Sequence, residues 1–108
     1  MSVMIEFGCY SDTCMASNPS PIHLGPAGSQ VTMCAVNASV TVKFTGDSPF
    51  VSKKKFFTIP KGTCTNLEEV AKESVGKEFG FRPTCLDENG NEACPTPKIH
   101  FPPEMIVP

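Results

Sequence analysis

The stretch Thr65-Asn66-Leu67-Glu68-Glu69-Val70-Ala71-Lys72-Glu73-Ser74-Val75-Gly76-Lys77-Glu78-Phe79-Gly80 decides the fold class. Thr65 and Glu68 stand in the Thr-x-x-Glu spacing of a capping box, in which each side chain satisfies a backbone N–H at a helix start. Leu67, Val70, Ala71, Ser74 and Val75 fall on one face at helical spacing, and Phe79 extends that face. Glu68–Lys72 and Glu73–Lys77 are favourable i,i+4 pairs on the other face. Gly80 suits the C′ position, and Gly76 inside costs about 1 kcal/mol relative to alanine. The pattern predicts one helix over about 66–79. A bridge from Cys64, one residue before the cap, pins the start of that helix to a sheet.

Working outward, residues 81–84 lead into Cys85-Leu86-Asp87-Glu88-Asn89-Gly90-Asn91-Glu92-Ala93-Cys94. Asn-Gly is the dipeptide that a two-residue type I′ hairpin prefers, because both central positions need positive φ. Counted outward, Glu88 faces Asn91, Asp87 faces Glu92, Leu86 faces Ala93 and Cys85 faces Cys94. The last pair is non-hydrogen-bonded, where the chains come closest, and suits a disulfide. On the other side of the helix, Val3, Ile5, Phe7 and Cys9 alternate with Met4, Glu6, Gly8 and Tyr10 as a half-buried strand. Residues 31–36, 40–44 and 56–59 also read as strands, and residues 16–29 as a long loop broken by proline and glycine. The expected fold is a small α+β domain over residues 1–94, with a mainly antiparallel sheet, one packed helix and a C-terminal hairpin at 85–94. Residues 95–108, with five prolines among Ile99, Phe101, Met105, Ile106 and Val107, read as an extended apolar tail that wants a surface to lie on.

The hairpin-then-helix unit formed by Val40-Thr41-Val42-Lys43-Phe44, Phe56-Phe57-Thr58-Ile59 and the segment after Thr65 resembles the opening of β-grasp domains. The resemblance covers about a third of the chain and rests on pattern, not on a motif. Sulfur-carrier members of that fold end in Gly-Gly. This chain ends Ile106-Val107-Pro108, so the resemblance does not imply that activity.

Six cysteines in 108 residues make disulfides the default reading. Zinc is disfavoured because there is no Cys-x-x-Cys pair and neither histidine has ligand spacing from a cysteine. With Cys85 and Cys94 joined, Cys9, Cys14, Cys34 and Cys64 allow three connectivities. The crossed ones are preferred, because they anchor the long loop. Disulfides point to an oxidising location, either extracellular after secretion or on a virion surface. The N-terminus lacks the basic region of a signal peptide, so a secreted form would be the mature one. Asn37-Ala38-Ser39 is a glycosylation sequon at Asn37. The net charge of −2 argues against nucleic acid as the partner. No apolar run reaches the length of a membrane span.

Asp87, Asn89 and Asn91 have the spacing of the first calcium-loop ligands, but the glycine is misplaced and Lys98 stands where a glutamate belongs. The hairpin explains them better. Lys53-Lys54-Lys55 reads as a charged flank that protects the Phe56-Phe57 strand, rather than as an anion site. His23 and His100 lie in proline-rich segments without nucleophile or carboxylate partners. None of the familiar nucleotide, hydrolase or metalloprotease motifs occurs. The expectation is therefore a protein that is not an enzyme and takes no cofactor or metal. It would be a secreted protein-binding module of effector, inhibitor or toxin type. The alternative is a structural subunit of an extracellular assembly or virion, an oligomer whose tail reaches a neighbouring subunit. In both, Ile99, Phe101, Met105, Ile106 and Val107 are the candidate partner-binding residues.

Overall fold

The computed structural model describes residues 1–94 and 103–108. Among them are nine strands: β1 (Ser2–Tyr10), β2 (Thr13–Ala16), β3 (Ile22–His23), β4 (Gln30–Ala35), β5 (Ser39–Phe44), β6 (Phe56–Ile59), β7 (Glu68–Glu69), β8 (Glu78–Leu86) and β9 (Glu104–Ile106). They form a four-stranded sheet of order β2-β1-β4-β7 and a five-stranded sheet of order β3-β9-β8-β5-β6. β1 runs parallel to β4 and β3 parallel to β9, while the remaining ladders are antiparallel, so both sheets are mixed. The sheets pack face to face, with β2, β1 and β4 against β8, β5 and β6.

Alternation along the strands builds the core. Ile5 and Phe7 of β1, Val40, Val42 and Phe44 of β5, and Phe79, Phe81, Pro83 and Cys85 of β8 are buried, while the residues between them are more exposed. Because the side-chain period of a strand is two, these sets point into one layer between the sheets. An aromatic cluster fills that layer. Phe7 meets Phe81 edge-to-face at 6.0 Å between ring centroids, and Phe44, Phe50 and Phe57 contact one another at 5.8 to 6.4 Å. Edge-to-face contacts of this kind add about 0.5–1.5 kcal/mol each beyond the area they bury.

The expected helix over 66–79 is absent: no α-helix occurs among the described residues, and the fold is a nearly all-β sandwich instead of α+β. The segment instead contains β7, a single 3₁₀ turn over Lys72–Ser74, and the start of β8. Three contacts account for the difference. Thr65 pairs with β4, its N–H donating to Met33 O at 2.8 Å and its Oγ1 accepting from Met33 N at 3.0 Å, so it caps nothing. Glu68 accepts from the Ser52 hydroxyl at 2.6 Å, and Glu73 pairs with Lys53 instead of Lys77. Gly76 has φ +80°, a left-handed conformation that ends any helical run. The supposed apolar stripe is split accordingly. Val70, Ala71 and Ser74 are buried, but Leu67 and Val75 are 59% and 49% exposed. Phe79 belongs to the period-two pattern of β8. The resemblance to β-grasp domains falls with the helix that carried it.

The second correction is the pairing of cysteines. The bridges are Cys9–Cys94, Cys14–Cys85 and Cys34–Cys64, with Cα separations of 6.1, 5.5 and 4.0 Å. Cys85 and Cys94 are not joined to each other, because the hairpin register is one residue away from the expected one. Leu86 pairs with Glu92 instead of Ala93. A type I turn closed by Gly90 N–H to Asp87 O at 3.0 Å replaces the type I′ turn, and Asp87 N–H donates to Asn91 O at 2.7 Å. One extra residue in the loop flips every later side chain to the other face. Cys64 is bonded to Cys34 across an isolated β-bridge, so it fixes the chain along β4 and not a helix start.

Candidate binding groove

Pro83 organises the candidate site. Among the described residues, β8 is bordered by β5 along Ser39–Phe44 and by β9 over Glu78–Gly80. Among the described residues, Phe81 N–H donates to Pro103 O at 3.0 Å on the β9 side, and farther along that side Cys85 O accepts from Ala93 N–H at 2.8 Å. Two residues on, the same side of the strand carries Pro83, which has no N–H to offer. No strand among the described residues calls for a ladder bond from the Pro83 position, and a proline is tolerated in a strand where none is needed.

A groove opens beside Pro83, between β8 and the β2 strand of the facing sheet. It encloses about 340 Å³, within the range of small-molecule and side-chain pockets. Phe81 and Pro83 of β8, Ala16 of β2, Ile22 of β3 and Pro103 line it, together with the exposed Met15 and Pro19. The surface is almost wholly apolar, and among the described residues that line it none titrates: Cys14, the one thiol-bearing residue there, is in a disulfide.

Two asparagines hold the strand behind this wall. Asn18 Oδ1 accepts from Glu6 N–H at 3.2 Å and its Nδ2 donates to Met4 O at 3.1 Å, continuing the ladder on β1 past the end of β2. Asn37 does the same nearby, accepting from Cys9 N–H at 2.7 Å and donating to Cys9 O at 3.0 Å. Gly8 makes room for the second contact, since a Cβ there would stand 2.5 Å from Asn37 Oδ1. The side-chain amide of the sequon residue Asn37 is thus part of the β1 edge, although the residue itself is exposed.

The expected partner-binding residues separate. Met105 is fully buried and Ile106 half-buried in β9, which pairs with β3 and β8, and Val107 just beyond it is fully buried. Leu24 N–H donates to Ile106 O at 2.9 Å and Gly76 N–H to Val107 O at 2.8 Å, which ties the last residues to the body. Ile99, Phe101 and His100 lie outside the described residues. His23 sits exposed on β3. Of the residues that line the groove, sequence reasoning singles out Cys14 as a disulfide partner and misses the others. Their one legible signal is Pro83, a proline in an otherwise regular alternation of Phe79, Phe81 and Cys85.

Charge lies away from the groove. Lys53 pairs with Glu73, Lys55 stands 3.8 Å from Asp47, and Lys54 lies over the Phe57 ring at 4.9 Å. The Lys53 hydrogen bond and charge hold the Glu73 carboxyl below its usual range. Across β8 and β9, the Glu78 carboxylate pushes Glu104 above its usual range. The lysine run leads into β6, an edge strand whose Phe56 is 51% exposed. No helix among the described residues is long and apolar enough to cross a membrane.

Compared with protein families, curated proteins and solved structures, the chain matches none.

Proposed function

We propose that this protein is a secreted, non-enzymatic protein-binding module that receives an apolar side chain of its partner in the groove between β2 and β8. The observation that carries the reading is the groove itself: apolar, and lined by Pro83, which has no N–H to give to an added strand. A partner is therefore held by side-chain burial and not by strand addition, because Pro83 removes a donor that an added strand would need. The Asn18 tether, the β1–β2 hairpin and the Cys14–Cys85 bridge hold the wall in place before binding, which lowers the ordering cost of association. Three disulfides are compatible with an extracellular location. The alternative of an assembly subunit needs the tail free for a neighbour, and β9 spends residues 104–106 in its own sheet.

Selection of peptides from a displayed library on the oxidised protein tests this reading. Peptides with one large apolar anchor should emerge, and on addition they should shift the backbone amide resonances of Met15, Ser17 and Ile22. Met15→Glu, on the exposed rim, should weaken them at least tenfold, about 1.4 kcal/mol. Selected peptides whose shifts map to another face, or whose affinity ignores Met15→Glu, would overturn it.

A further inference from the structure

We infer that Cys9, Cys14, Cys85 and Cys94 form a tetrathiolate site for a zinc-class divalent ion when their two disulfides are reduced. Each of the two hairpins delivers a pair of cysteines to one point. Cys9 and Cys14 are direct partners across β1 and β2, and Cys85 and Cys94 flank the loop after β8. The sulfurs of Cys14, Cys85 and Cys94 all lie within 4.8 Å of one another, and Cys9 is joined to Cys94. A zinc ion holds sulfur at about 2.3 Å, which places tetrahedral ligands about 3.8 Å apart. The three sulfurs therefore need to move apart from their bonded partners by no more than side-chain rotation supplies. Cα separations of 6.1 and 5.5 Å within the two bridges leave room for that rotation without moving the strands.

The surroundings suit a closed structural site. Cys14, Cys85 and Cys94 are buried and Cys9 is half-buried. Their strands are held independently, β1 by β4 and β8 by β5, so the hairpins do not depend on the two bridges alone for their approach. Cys34 and Cys64 lie outside the cluster. The chemistry balances in two steps. A phosphine or dithiol gives two electrons to each disulfide, each of which takes up two protons to become two thiols, and the reductant is oxidised. The divalent ion, unchanged in oxidation state, then displaces one proton from each of four thiols. The same four side chains thus have an oxidised form locked by bridges and a reduced form locked by metal.

Cobalt(II) serves as the probe because tetrahedral thiolate coordination gives it intense visible bands and a sulfur-to-metal charge-transfer band. The full chain is reduced with excess phosphine under argon, freed of reductant and titrated with cobalt. One equivalent should produce the tetrahedral spectrum, and one equivalent of zinc should bleach it. The Cys34→Ser/Cys64→Ser double variant should give the same spectrum and stoichiometry. Cys14→Ser and Cys94→Ser should each lose the four-sulfur charge-transfer intensity. Far-ultraviolet circular dichroism covers the case in which the reduced chain unfolds, since metal should then restore the strand signal. A weak octahedral cobalt spectrum, a spectrum that needs Cys34 or Cys64, or a reduced chain that neither binds cobalt nor refolds with it, overturns the proposal.

Discussion

The two cysteine-bearing hairpins solve the same problem by different turns. In the first, Tyr10 pairs with Thr13, and Ser11 and Asp12 both take positive φ, 50° and 62°. That is the type I′ geometry, built without a glycine or an asparagine. The second holds Asn89-Gly90, the dipeptide best suited to type I′, yet only Gly90 has positive φ, +82°. The difference lies one step outside the dipeptide. Asp87 Oδ1 accepts from the N–H groups of both Asn89 and Asn91 at 2.9 Å. Such an Asx turn stabilises the αR conformation ahead of the glycine and leaves Gly90 as the bulge residue that closes a three-residue loop. Turn propensity is therefore set by the flanking acceptor as well as by the central pair. Here the choice moves the register by one residue and sends Cys85 to Cys14 and Cys94 to Cys9.

The comparison can be broken most severely at the bridge between the hairpins. Replacing Cys14 and Cys85 by alanine removes a cross-link that spans 71 residues of sequence, and chain entropy puts the loss at about 4 kcal/mol. Urea unfolding of the double variant should show it as a large drop in midpoint. Next comes Gly90→Ala, which forces a Cβ into the left-handed region and should cost about 1–2 kcal/mol in the same assay. The counterpart in the first hairpin has the opposite sign. Asp12→Gly relieves a left-handed non-glycine residue and should stabilise by about 0.5 kcal/mol. Asp87→Ala removes the acceptor that selects the second turn, at about 1 kcal/mol. If the acceptor decides the turn type, amide chemical shifts of that variant should report positive φ at Asn89.

The smallest effect is electrostatic and lies between β9 and the start of β8, the strand that leads into the second hairpin. Glu104 has its carboxyl raised by Glu78, so the folded state holds that proton more tightly than the unfolded state. Stability from this group is then present at low pH and is lost as pH rises through the folded value. Glu104→Gln should raise the melting temperature slightly at pH 7 and have no effect once both carboxyls are protonated. Glu73 runs the other way. Its lowered carboxyl contributes above the ordinary carboxylate range and loses that contribution as pH falls through the folded value. Glu73→Gln should therefore lower the midpoint only at neutral pH.

What was legible in the sequence follows the strength of local alternation. Strands β1, β4, β5 and β6 carry clear period-two or β-branched runs, and all four were readable as strands. The segment from Thr65 to Gly80 was not, because its helical signals are real but weak against tertiary pairing. A capping box and two ion pairs contribute tenths of a kcal/mol to about 1 kcal/mol each. Pairing Thr65 with Met33, and burying Phe79 and Phe81 in a strand, outweighs them, since one buried phenylalanine contributes about 2–3 kcal/mol. Short β7 and β9 carry no pattern long enough to read. The groove was illegible for a related reason: its lining comes from segments far apart in sequence, and nothing in the β2 or β8 sequence states that the two face each other.

The pairing of cysteines tests the account most directly. Cleavage of the unreduced protein before Asp12, Asp47 and Asp87 gives peptides 1–11, 12–46, 47–86 and 87–108. With the bridges Cys9–Cys94, Cys14–Cys85 and Cys34–Cys64, mass spectrometry should find peptide 1–11 joined to 87–108, and 12–46 joined to 47–86. Peptide 47–86 joined to 87–108 would place Cys94 on Cys85 or Cys64 instead of Cys9 and contradict the crossed staple on which the sandwich is built; fragmentation that assigns the bond to Cys85 would restore the type I′ register.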